Sequence, residues 1–124
     1  MASRERHNCA TTASNDDRRT ERIRRLNDRF RATFLGSHVV VTSGIHALGE
    51  QAQADVLSAV RAYASFDPAN DPFNEHDFGS LTCCSRRVLW KIDYYDPTME
   101  FGAVDPFDPA NTVRVLTIML ASEY

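Results

Sequence analysis

The chain of 124 residues has a single lysine, five glycines, three cysteines and no long apolar run. Each shortage removes a class of protein. No segment approaches the roughly 18 apolar residues needed to cross a bilayer. The charged start is followed by no hydrophobic stretch, which predicts no secretory signal and a cytoplasmic location. Cys9, Cys83 and Cys84 are odd in number and two are adjacent. They therefore make a poor disulfide framework, and no CxxC spacing exists for zinc. A reducing compartment follows. There is also no glycine-rich phosphate loop.

What is present suits one domain with a modest core. The apolar share is 43% and the charged share 25%, both ordinary for a globular chain. Net charge is -3, but its distribution is uneven: residues 1–35 carry nine arginines against five acids, while residues 66–124 carry ten acids against four basic residues. Residues 1–17, "MASRERHNCATTASNDD", show no apolar period and predict a disordered tail, leaving 18–124 as one domain.

Periodicity then predicts the elements. In "RRTERIRRLNDRFRATF", Ile23, Leu26, Phe30 and Phe34 form one helical stripe, with Asp16, Asp17 or Thr20 as caps and Leu35-Gly36 as the stop. "HVVVT" at 38–42 predicts a buried strand. A second helix is expected from about Gly49 to Ala64, with Leu48, Ala52, Val56, Val60 and Tyr63 on its apolar side. "DFGSLTCC" and "RVLWKIDYY" predict a hairpin linked at Ser85-Arg86, and "TMEFGAV" predicts a short further strand. Val115 to Leu120 is apolar on both faces and reads as a central strand, with a helix as the alternative. The expected fold is α+β, two helices packed on a mostly antiparallel sheet of four or five strands.

Three groups of residues invite a functional reading. The first is Glu75-His76-Asp77 within "FDPANDPFNEHDFG". His76 would act as a general base, or these groups with Asp71, Asp93 or Asp96 would hold a hard cation such as Mg²⁺ for hydrolysis. In an extended chain Glu75 and Asp77 point one way and His76 the other, so the run alone cannot make a site, and Asp93 is the expected further member. Against this stands turn building. All five prolines, 68, 72, 97, 106 and 109, follow an Asp, as turns require when a carboxylate accepts backbone N–H groups two residues on. Turn building is the favoured reading.

The second group is the basic stripe of Arg18, Arg22, Arg25 and Arg29 on the first helix, spaced to neutralise phosphates. No aromatic residues interleave it, and Glu21 and Asp28 lie beside it, so a solvated face or docking on an acidic surface is favoured over nucleic acid. The third is "WKIDYYD". Val88, Trp90, Ile92 and Tyr94 share a core face, while Tyr95 stands with Lys91 and Asp93 on the other.

"NDPFNEHDFG", "WKIDYYD" and "DPANTVRVLTIMLASEY", with the opening "IRRLNDRFRATFLGSHVVVTSGI", resemble the family called domain of unknown function DUF3768, over residues 21–124. The resemblance implies a bacterial, typically alphaproteobacterial, protein often carried near mobile-element genes. It implies no activity, cofactor or catalytic residue. The expected function is a small non-catalytic interaction protein of a plasmid or other mobile element, one form being an inhibitor of a host defence system of anti-CRISPR or anti-restriction type. Tyr95, Asp71, Asp96, Asp105 and Asp108 would meet a protein partner. The alternative is a metal-assisted hydrolase or nuclease using Glu75, His76, Asp77 and Asp93. No cofactor and no bound metal are expected, and a homo-oligomer remains open.

Overall fold

The computed structural model describes the backbone from residue 7 and the side chains from residue 15, through to residue 124. For residues 1–6 the expected tail lies outside the described residues. From there the chain is helical, and α1 spans His7–Thr33. Asp16, Asp17 and Thr20 thus lie inside α1 rather than capping it. The polar stretch before them lacks an apolar period, yet it also lacks the proline or glycine that would halt a helix growing backwards.

Three helices stand against a four-stranded sheet. After α1 come β1 (His38–Val41), the single turn α2 (Ser43–His46), α3 (Glu50–Arg61), β2 (Phe78–Cys83), β3 (Arg86–Tyr95) and β4 (Val113–Leu120). The sheet order is β1-β4-β3-β2, with β1 parallel to β4 and the other pairs antiparallel. The apolar run before the C-terminus is therefore a strand, and a central one.

Two strand expectations change. β1 lies at the edge of the sheet, and its residues alternate between exposed and half-buried. Its β-branched side chains suit a strand, but with only β4 beside it one flank stays open. "TMEFGAV" forms no strand beyond a single bridge between Tyr95 and Gly102. Asp96 explains why: its Oδ1 accepts from Thr98 N at 3.1 Å, Thr98 Oγ1 at 2.6 Å and Glu100 N at 3.4 Å. A side chain thereby takes donors a neighbouring strand would have used.

The core lies between the helices and one sheet face. Phe30 of α1, Val56 and Val60 of α3, and Val88, Trp90, Ile92, Leu116 and Ile118 of the sheet are buried together. On α1 the buried line is Ile23, Asn27, Phe30 and Arg31, so two polar residues share the predicted apolar stripe. On the opposite sheet face the cross-strand partners Leu89 and Met119 are buried.

The β2–β3 hairpin turns at Cys84-Ser85, one residue earlier than expected, with both φ angles positive. Register decides this, because Gly79 must face Trp90 and Leu81 must face Val88. Gly79 makes room for the indole: a Cβ there would fall 2.6 Å from Trp90 Cε2. Gly79→Ala is expected to cost about 2–3 kcal/mol by overpacking. Urea unfolding followed by the single tryptophan measures it, and an unchanged midpoint would refute the fit.

Candidate functional site

The loop from Phe66 to Asp77 folds down on α1, and its centre is His76. The backbone of His76 is left-handed (φ 55°), which turns the ring inward. Nδ1 lies 2.8 Å from Asp28 Oδ1 and 3.1 Å from Oδ2, and Nε2 lies 3.4 Å from Asp71 Oδ2. The ring stacks flat on Phe66, centroids 3.6 Å apart and planes within 2°. An imidazolium donates to both carboxylates, whereas a neutral ring protonated at Nδ1 serves Asp28 and turns a lone pair toward Asp71.

Asp28 also accepts from Arg31 Nη1 at 3.1 Å. The buried Arg31 donates to the Tyr63 carbonyl at 3.0 Å and lies over the rings of Phe66 and Trp90. The chain of contacts runs Arg31, Asp28, His76, Asp71. Asp28 ties the imidazole to the helix on one side, and Asp71 ties it within the loop on the other.

Beside it lies a second polar cluster, fully buried at Asn27. Asn27 Nδ2 donates to the Glu75 carbonyl at 3.0 Å and to Tyr94 Oη at 2.8 Å, and its Oδ1 accepts from Arg114 Nε at 2.7 Å. Tyr94 Oη donates in turn to Glu75 Oε1 at 2.8 Å. Burial pushes the Tyr94 phenol far above its usual range, reinforced by the Glu75 charge. Arg114 is held by neutral partners: Asn27, the Pro106 carbonyl at 2.6 Å and the face of Tyr94. Burial pulls its guanidinium down from the ordinary arginine range.

The four hydrolase candidates do not converge. Glu75 is tied to Tyr94 and His76 to two aspartates. Asp93 pairs with Lys91 at 2.9 Å, on the face of β3 away from the helices. The Asp77 carbonyl accepts from Ile92 N at 2.8 Å, while its carboxylate accepts from no other residue among the described residues; burial and then the Glu75 charge raise that carboxyl above the usual range. Among the described residues no three His, Cys, Asp or Glu side chains stand close enough to share a metal. A groove of about 430 Å³ opens over His76, lined by Phe66, Asp71 and Asn74 among others.

Each Asp before a proline instead accepts a backbone N–H. Asp67 takes Ala69, Asp96 takes Thr98, Asp105 takes Phe107 and Asp108 takes Ala110, each two residues on. Asp71 takes His76 N at 3.2 Å. It is only 7% exposed, so it is a loop tie and not the surface acid expected. Tyr95 is half-buried, and Asp96, Asp105 and Asp108 hold the β3–β4 loop.

The basic stripe is partly spent within the chain. Arg25 pairs with Glu21 at 2.6 Å and Arg22 lies over Phe107, while Arg18 and Arg29 form no ion pair among the described residues. The neighbouring Arg19 pairs with Asp105 at 2.7 Å, so α1 docks on the acidic half of its own chain.

Asn27, Asp28, Arg31 and Arg114 were not legible as a set. One signal was present: Asn27 sits on the apolar stripe, and Arg114 shares strand parity with Leu116 and Ile118. A polar residue in such a slot marks a buried partner elsewhere.

The model of a family described as "Protein of unknown function (DUF3768)" matches residues 41–123. The match begins at the end of β1 and leaves out α1, so it is shorter than the resemblance over 21–124. No curated protein and no solved structure matches the chain. No helix among the described residues is long and apolar enough to cross a membrane.

Proposed function

Since the chain belongs to the DUF3768 family, whose description carries no activity, we propose from its own surface that it is a small non-catalytic interaction protein. The observation that carries this is the loop between β3 and β4. Val104 is 97% exposed and Phe101 68%, with Met99 also exposed beside them. Three large apolar side chains exposed on one short loop suit a binding surface. The loop is also pre-shaped, because Asp96, Asp105 and Asp108 close its turns and Arg19 pins it to α1. Pre-shaping lowers the entropy cost of docking.

Glu100 and the turn aspartates share the loop with these apolar groups, so the matching partner offers an apolar pocket with a basic rim. The narrower form of the reading is a mobile-element inhibitor of a host defence nuclease. The basic groove in which such a nuclease holds nucleic acid suits the ten acids against four basic residues of 66–124.

The double variant Phe101→Ser, Val104→Asp tests the loop. Affinity capture from cells that carry the gene is expected to recover one stoichiometric partner with the native chain. The variant should bind that partner at least about tenfold more weakly, while its stability stays within about 0.5 kcal/mol. A partner held equally by both chains overturns the loop as the contact. No partner with the native chain overturns the interaction reading.

A further inference from the structure

We propose that the cavity between α1, the α1–β1 connection and the start of β4 binds a small organic carboxylate with an apolar body. The cavity holds about 340 Å³, within the lower range of small-molecule pockets. At about 30 Å³ per liquid water it has room for roughly eleven, which matches a ligand of about ten heavy atoms.

Its lining includes two arginines, Arg29 and Arg114, and no acidic residue. Arg114 is 95% buried, being 5% exposed, and makes no salt bridge among the described residues. Nε and Nη2 donate to the neutral oxygens of Asn27 and Pro106. Nη1 donates to nothing among the described residues. Its hydrogen-bond partners are neutral, and the Glu75 charge acts on it only from beyond Tyr94; a buried charge with no direct counter-ion is costly. A carboxylate at this position supplies a direct anion, with charge-assisted bonds to the free Nη1.

The remaining donors agree. Ser37 Oγ accepts from Arg114 N at 2.8 Å and gives its own proton to no group among the described residues. The hydroxyls of Thr33 and Thr112 are already spent on the Arg29 and Asp105 carbonyls. Arg29 is exposed and unpaired among the described residues, so it can close over an anion from the mouth. The site thus offers donors at one end, while Leu26, Phe30, Leu35 and Pro109 supply apolar wall for a hydrocarbon or aromatic body. Those walls disfavour a bare phosphate, which brings a larger charge and nothing to bury.

The full chain is titrated by calorimetry with octanoate, octanamide and inorganic phosphate, and the octanoate titration is repeated with Arg29→Gln. Arg29 is exposed and outside the buried network, so this variant keeps the fold. Saturable octanoate binding is expected, with octanamide at least about tenfold weaker, because the charged contact is the stronger hydrogen bond. R29Q should lose about twofold to fivefold in octanoate affinity, as for an exposed charge pair. In backbone NMR the Gly36, Ser37, Thr112 and Arg114 amides should shift on binding. No saturation below about 5 mM, equal binding of octanamide, equal binding of phosphate, or shifts confined to another face each overturn the proposal.

Discussion

A chain stopped at Asn111 is expected to show no cooperative unfolding transition. That cut removes β4, which pairs with β1 on one side and β3 on the other. β1 has no other partner, so the sheet is left as the β2–β3 hairpin alone, and an isolated hairpin is at best marginal in water. Leu116 and Ile118 are fully buried and Met119 nearly so. Burying each side chain is worth about 1.5–3 kcal/mol, a combined loss comparable with the whole stability of a small domain, about 5–15 kcal/mol. Arg114 leaves as well, opening the cluster around Asn27. Circular dichroism should retain part of the α1 signal while the urea transition disappears. A soluble truncated chain with a sigmoidal transition would show that β4 is not what closes the fold.

Replacing Asn27 by Ala is expected to cost about 3 kcal/mol. Three contacts go at once: those to the Glu75 carbonyl, to Tyr94 Oη and from Arg114 Nε. Each buried group left unpaired costs about 1–3 kcal/mol, and more when it is charged. Arg114 dominates, because its Nε loses its acceptor inside the buried cluster. The contacts form one network, so single losses should not add. Tyr94→Phe in the Asn27→Ala background should cost less than in the native chain, with a coupling of about 1 kcal/mol. Urea unfolding of the four chains gives both quantities. A loss under about 1 kcal/mol for Asn27→Ala, or strict additivity, would mean that water enters and satisfies the cluster.

The fold was legible wherever one element carried its own evidence. The alternation of Val88, Trp90, Ile92 and Tyr94, the helical spacing of Val56 and Val60, and the unbroken apolar run of β4 all lead to the observed elements. The Asp-Pro words were also legible, since an Asx turn closes within two residues. The strand expected at "TMEFGAV" failed because its β character competed with a carboxylate one turn away. β1 was misplaced because its apolar residues, Val39 to Val41, do not reveal how many neighbours a strand has.

The sequence by itself determined what depends on residues a few positions apart: helix faces, strand parity, the turns built by Asp before Pro, and the division of charge between the two halves. Tertiary structure alone decided which distant groups meet. His76 reaches Asp28 across 48 positions and Arg114 reaches Asn27 across 87, and nothing in local spacing selects those partners. The physical reason is desolvation. A polar group carried into the core by its apolar neighbours must find a partner there, and the partner is whichever group the packing of α1 on the sheet brings within hydrogen-bond reach. Within the Glu-His-Asp run, His76 is one such group, tying its loop to α1 through Asp28 and meeting Asp71 on its other side. Arg114, carried inward on an otherwise apolar strand, found its acceptors in Asn27 and the Pro106 carbonyl.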